Sequence, residues 1–195
     1  MYNYLLAGVG GQGTVLSSRI LAEMFMSAGY IVRTTETIGM AQRGGSVTSH
    51  LRASKTGVYS PLLPEGSADL ILGYEISEII RNSKYINDQT VMLVSKSIIK
   101  PITNTLSKDD YEFESMAESL NEISDKVHIY DFSKVFELTG TEKVLNICMI
   151  GAAIGLGVMP FAIEDARESI KTVLPKKIRE VNISALEHGY RLGTK

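Results

Sequence analysis

The chain has one cysteine and no tryptophan. A lone thiol, Cys148, cannot close an internal disulfide, and it cannot by itself hold an iron–sulfur cluster, which takes about four thiolates. Its default place is a small, buried, apolar position in a helix. Any redox metal chemistry associated with this protein therefore has to sit on another chain. Histidine is nearly as scarce: His50, His128 and His188 are scattered along the sequence, and a catalytic set needs such groups beside a nucleophile or an acid. Charge of one sign is lacking too. The net charge is −2, from 20 Lys and Arg against 22 Asp and Glu, so there is no basic field to draw nucleic acid or an anionic membrane. There is no long hydrophobic run. The most apolar stretch, VLNICMIGAAIGLGV from Val144 to Val158, is broken by Asn146 and falls short of the roughly 20 residues a membrane span needs. The start of the chain has no basic segment followed by an apolar run and a small-residue cleavage site, so no secretory signal is expected. Together these absences predict a cytoplasmic protein with neither nucleic acid nor membrane as partner.

What is present is an alternation of strand and helix. The 195 residues suffice for one domain, 1–195, with a core of its own. There is no internal repeat, low-complexity tract or charge block. Tyr4 to Val9 is a short apolar run ending in glycine and reads as a buried strand. From Thr14, the positions Val15, Ile20, Leu21, Met24 and Phe25 suit one helix face, and Gly29 ends that helix. Tyr30 to Thr35 and Ser46 to Arg52 read as strands. Pro61 to Ser67 is a turn-rich loop rather than a boundary. Ala68 to Tyr74 and Thr90 to Ser95 are further buried strands, with a helix from about Glu75 to Arg81 between them. Glu114 to Ile123 is helical, and Val127 to Asp131 is a short strand. Helices follow over Lys143 to Leu156, over Ile163 to Val173 and from Pro175, where Ile178, Val181, Ile183, Leu186 and Tyr190 recur at helical spacing. This order predicts an α/β fold with a Rossmann-like, open, mostly parallel sheet, right-handed crossovers and helices on both faces.

Two loops carry the chemistry. GVGGQG places Gly8, Gly10 and Gly13 at the dinucleotide spacing, with Gly11 and Gln12 between. Glycine permits the tight turn after the first strand, and the helix that follows offers free N–H groups and the positive end of its dipole. Glu36 stands about 20 residues on, where such loops find an acid for the ribose hydroxyls. Gln12 carries both a donor and an acceptor, suited to bridging to the backbone of another chain. The second loop, ETIGMAQRGGSVTSHLR, has no hydrophobic period and carries Gly39, Arg43, Gly44 and Gly45. Arg43 can fork onto a phosphate or carboxylate, or pair with an acid such as Glu36. Gly8, Gly10, Gly11, Gln12, Gly13, Glu36, Arg43, Gly44 and Gly45 are thus the candidate binding residues. No catalytic and no metal-ligating residue is identified.

GVGGQG after the first strand, joined to E-x-x-G-x-x-x-RGG after the second, resembles the gamma domain of 2-oxoacid (pyruvate, ketoisovalerate or indolepyruvate):ferredoxin oxidoreductases. Among these it is most similar to the small (beta) subunit of indolepyruvate ferredoxin oxidoreductase. ADLILGYE at Ala68 to Glu75, NICMIG at Asn146 to Gly151 and PKKIREVNISALEHGY at Pro175 to Tyr190 share in the resemblance, which runs from end to end. It implies a complex that decarboxylates a 2-oxoacid, passes electrons to ferredoxin and forms an acyl-coenzyme A. It places thiamine diphosphate, Mg2+ and [4Fe-4S] clusters on a large alpha subunit and none of them on this chain, with coenzyme A as co-substrate. It further implies that the chain is inactive alone and forms a hetero-oligomer, with a homodimer as the state open to the isolated subunit. GVGGQG then contacts the partner subunit or the pantetheine-phosphate arm of coenzyme A.

Two other readings remain open on the residues. One is a stand-alone NAD(P)- or FAD-binding Rossmann oxidoreductase. The other is an assembly module without a ligand. Gly151, Ala152, Ala153, Gly155 and Gly157 make a small-residue surface that is either a core element or a subunit contact.

Overall fold

The computed structural model describes residues 1–38, 45–97 and 112–195. Six strands form one sheet: β1 (Tyr2–Val9), β2 (Ile31–Ile38), β3 (Ser46–Ser54), β4 (Leu70–Gly73), β5 (Val91–Ser95) and β6 (Val127–Tyr130), in the order β2-β3-β1-β4-β5-β6. β1, β4, β5 and β6 run parallel to one another. The expected open α/β sheet is therefore present. One part of the expectation needs correction, because β3 runs antiparallel to both β1 and β2 and lies between them. β2 is an edge strand and does not touch β1. The cause is the length of the connection. Only residues 39–45 separate β2 from β3, whereas a parallel crossover needs about a dozen residues or more.

The sheet carries helices on both faces because its strands are apolar on both sides. β4 (LILG) is buried throughout, and β1 is buried from Tyr4 to Val9. Tyr4, Leu6, Leu70 and Leu72 pack on one face with α1 (Thr14–Ser27). Leu5, Ile71, Met92 and Val94 pack on the other with α2 (Ile76–Arg81) and α3 (Phe113–Ile123). α1 buries Ile20, Leu21, Met24 and Phe25, each side chain contributing roughly 1.5–3 kcal/mol on leaving water. Gly29, at a φ of 79°, ends that helix as expected.

A short helix, α4 (Ser133–Thr139), escapes sequence reading. It has seven residues, buries Val135 alone and stops at Gly140, whose φ is 71°. α5 (Leu145–Gly155), α6 (Ile163–Val173) and α7 (Lys176–Gly193) then form a layer on the α1 side. Every residue of α5 from Leu145 to Ile154 is buried within the chain. From Gly151 to Gly155 the small-residue surface is thus a core element whose partner is α7, while Gly157 lies beyond the helix and is exposed. Gly151 and Gly155 face the backbone of α7, while Gly189 and Gly193 face the backbone of α5. No helix among the described residues is long and apolar enough to cross a membrane.

Candidate functional site

The glycine loop lies at the carboxyl end of β1 and opens α1. Gly13 is the N-cap of α1 at a φ of 81°, and no side chain caps that helix. The first-turn N–H groups of a helix have no partner within it, so they face outward at the positive end of the dipole. Gly11 has a φ of 103°. Gly8 is a glycine for a different reason: a Cβ there would lie 2.8 Å from Gln12 Oε1 and 3.0 Å from Tyr74 Cβ. The Gly10 N–H donates to the Gly45 carbonyl at 2.8 Å, so the start of β3 is tied to the loop.

Gln12 is not aimed outward. The Val9 N–H donates to Gln12 Oε1 at 2.9 Å, and Gln12 Nε2 donates to the Tyr74 carbonyl at 2.9 Å. The amide bridges two backbones as its chemistry suggests, but both belong to this chain. Below it, the Tyr74 hydroxyl donates to Ser17 Oγ at 2.8 Å. Ser17 Oγ reaches the Asn146 carbonyl, and Asn146 Nδ2 reaches the Gly13 carbonyl, each at 3.5 Å. A ring of contacts thus leaves the loop at Gln12 and returns to it at Gly13.

The loop forms a ridge between two hollows. A cavity of about 710 Å³ lies on the β5–β6 side, walled by Gly10, Gly11 and Gln12 together with Lys96, Phe136 and Lys143. A groove of about 370 Å³ lies on the other side, against Thr14, Leu16, Arg19 and Val47. Asp131 also lines the larger cavity. The backbone N–H and hydroxyl of Ser133 hold its carboxyl below the usual range, with Lys96 and Lys134 adding to the effect. The cavity therefore offers two ammonium groups and apolar ring surface beside two carboxylates, Asp131 and Glu142, while the N–H groups of Gly10 and Gln12 are already bonded within the chain.

The structure brings together Gly8, Gly10, Gly11, Gln12, Gly13 and Gly45. Glu36 stands apart. It lies exposed in β2, opposite Ser49 of β3, with a whole strand between it and β1. In a dinucleotide fold the acid-bearing strand is β1's direct neighbour, so the spacing in sequence does not produce that geometry here. Arg43 and Gly44 fall outside the described residues. Lys96 and Lys143 were missed, yet the first had a signal: it directly follows a buried parallel strand, at the edge where open α/β sheets bind ligands. Glu75 was missed as a cap. Its Oε2 accepts from the N–H groups of Ser77 at 2.9 Å and Glu78 at 3.3 Å, starting α2. The Ser46 hydroxyl donates to Glu78 Oε2 at 2.6 Å and ties that helix to β3.

Among the described residues the remaining titratable groups do not assemble into a reactive set. His50 is buried in β3, with Nδ1 accepting from the Leu63 N–H at 3.3 Å. Burial first, and Lys84 second, hold its pKa below 6.5. His128 lies in β6. His188 lies in α7, its Nδ1 2.8 Å from the Ser184 carbonyl. Cys148 is buried in α5, which pushes its thiol up to about 12. Among the described residues no group of three or more His, Cys, Asp or Glu side chains could hold a metal ion. These residues do not fit an iron–sulfur cluster or a metal-bound diphosphate.

Comparison with known proteins gives a consistent result. The model of the family described as pyruvate ferredoxin/flavodoxin oxidoreductase matches residues 3–192. A curated relative from Archaeoglobus fulgidus, indolepyruvate oxidoreductase subunit IorB, is 36% identical over 189 residues, covering 96% of this chain and 93% of that one. Among solved structures, the gamma subunit of a keto/oxoacid ferredoxin oxidoreductase from Geobacter sulfurreducens superposes with a TM-score of 0.69 at 20% identity, covering 100% of this chain and 99% of that one. The 2-oxoglutarate:ferredoxin oxidoreductase from Magnetococcus marinus, with 2-oxoglutarate, coenzyme A and succinyl-CoA bound, gives 0.74 at 19% identity, covering 99% of this chain and 31% of that one. At these identities the two structures establish the fold. The family match spans nearly every residue on which the sheet, the glycine ridge and the α5–α7 layer are built, and the chain belongs to the pyruvate ferredoxin/flavodoxin oxidoreductase family.

Proposed function

We propose that the chain is the small subunit of an indolepyruvate:ferredoxin oxidoreductase, or of one acting on a related aryl 2-oxoacid. The observation that carries this is the end-to-end identity of 36% with a protein named as an indolepyruvate oxidoreductase subunit. In the overall reaction a 2-oxoacid and coenzyme A give CO2 and an acyl-coenzyme A. The two electrons released go to ferredoxin. Thiamine diphosphate, Mg2+ and [4Fe-4S] clusters belong to the large alpha subunit. The single buried thiol of this chain agrees with that division. The setting is the cytoplasm, and the isolated subunit has a homodimer open to it.

The contribution of this chain is to bind and orient. Gly10 and Gly11 present the backbone of the ridge, and Gly13 opens α1 behind it. Lys96 and Lys143 supply positive charge on the cavity side. Together they hold the phosphate-bearing arm of coenzyme A and leave its thiol free to reach the partner's site. Gly45 fixes the ridge to β3, and Arg43 and Gly44 belong to the same proposed set. The test is reconstitution. The chain alone is expected to show no indolepyruvate-dependent reduction of ferredoxin, and adding the large subunit is expected to restore turnover that depends on coenzyme A. Turnover by the large subunit without this chain would defeat the reading.

A further inference from the structure

We infer that Gln12 is a positioning residue, a strut that holds the glycine ridge in place from within, its amide committed to the backbone rather than to the ligand. The inference rests on the reading that the ridge meets coenzyme A, and it assigns the residue that gives the ridge its shape.

The strut stands where β1 and β4 end side by side. β1 leads into α1 on one face of the sheet, and β4 leads into α2 on the other. The β1–β4 junction is therefore the point at which the connections change sides, and the crevice above such a point is where open α/β folds receive a ligand. Gln12 spans it. Its Oε1 takes the N–H of Val9 at the end of β1, and its Nε2 gives a proton to the carbonyl of Tyr74, directly after β4. Both ends of the amide are engaged. The span needs a donor and an acceptor at one side-chain tip, and Gln supplies both at this reach. Gly8 is shaped to this arrangement, since a Cβ there would press on Gln12 Oε1. From Tyr74 the contacts run through Ser17 and Asn146 back to Gly13. A ligand laid across the junction would have to displace the amide. A ligand in the cavity beside Lys96 and Lys143 would not.

The experiment uses the complex with the large subunit, carrying Q12M, Q12E or K143E. Met matches Gln in length but can neither donate nor accept these bonds. Glu accepts from Val9 but, when ionised, sets an oxygen against the Tyr74 carbonyl; when protonated it restores the donor. Two readouts are taken: amide hydrogen exchange of residues 9–16 without coenzyme A, and KM for coenzyme A and for the 2-oxoacid separately. In Q12M, exchange is expected to quicken about tenfold and KM for coenzyme A to rise about tenfold, with KM for the 2-oxoacid unchanged. In Q12E the same rise is expected at pH 8. Unchanged exchange in Q12M overturns the strut, because a residue that only touched ligand would leave the ligand-free ridge as it was. If K143E raises KM for coenzyme A and Q12M does not, the positioning role is overturned and the coenzyme A reading stands. If neither variant moves it, both fall.

Discussion

Gly155 on α5 lies against the backbone of Tyr190 on α7, so that a Cβ on Gly155 would sit 2.2 Å from the Tyr190 carbonyl oxygen. The relation is repeated along the pair. A Cβ on Gly151 would meet the Leu186 carbonyl at 2.2 Å, one on Gly189 the Cys148 carbonyl at 2.2 Å, and one on Gly193 the Ala152 carbonyl at 2.1 Å. Two Gly-x-x-x-Gly rows on facing helices remove the side chains that would hold the backbones apart. This packing is the foundation under the ridge, because Asn146, which reaches the Gly13 carbonyl, lies on the same α5.

Gly155→Ala is therefore expected to destabilise the chain although alanine is the better helix former. The helix gain is about 1 kcal/mol. Forcing two packed backbones apart costs about 1–3 kcal/mol or more, and here the obstacle is backbone, which cannot rotate away. A net loss of up to about 2 kcal/mol is expected, read as a lowered urea midpoint, and Gly155→Leu is expected to give no folded protein. A raised midpoint for the alanine variant would contradict the close approach.

Cys148 is expected to be chemically silent in the folded protein. Its thiol is buried and pushed up to about 12, and the thiolate is the reactive form. An aromatic disulfide reagent at pH 8 should find no thiol in the native chain and one per chain in guanidinium. Prompt labelling of the native form would show that α5 is not the closed core element described here.

His50 should make stability depend on pH in one direction. Its folded pKa lies below the ordinary 6.5, so the unfolded chain takes up this proton first. The contribution is whole above about pH 6.5 and declines as pH falls below that towards the folded value. His50→Asn offers an oxygen to the Leu63 N–H and does not titrate. The thermal midpoint of wild type is expected to fall more steeply than that of His50→Asn between pH 7 and 5. Parallel curves would remove His50 from the explanation.

The isolated chain should not bind a dinucleotide. Gln12 spans the β1–β4 junction, and β3 holds Glu36 one strand away from β1. An NADH fluorescence titration into the micromolar range is expected to stay flat. A saturable curve would mean that the ridge opens.

Much of the architecture was legible because periodicity reports burial directly. Ile163–Val173 could be bounded to the residue, and the apolar runs at Tyr4–Val9 and Ala68–Tyr74 marked strands buried on both faces. α4 was not legible, because a seven-residue helix with one buried side chain carries too little pattern. The placement of β3 was not read either, although a clue was present: the segment between the second and third strands is too short for a parallel crossover. Of the candidate site, Gly8 through Gly13 and Gly45 do converge. Glu36 does not join them, since spacing along the chain says nothing about which strand ends up next to which.

The sequence alone determined the class of fold, the glycine turn at the end of β1 and the poverty in thiols. These follow from local chemistry: hydrophobic period, the freedom of glycine and the count of one residue type. Only the tertiary structure decided that Gln12 faces inward, that Glu36 stands off by a strand, and that Lys96 and Lys143 meet across one cavity. Each depends on strand order and on which backbones approach within hydrogen-bonding distance, and those are properties of the assembled chain rather than of any one segment of it.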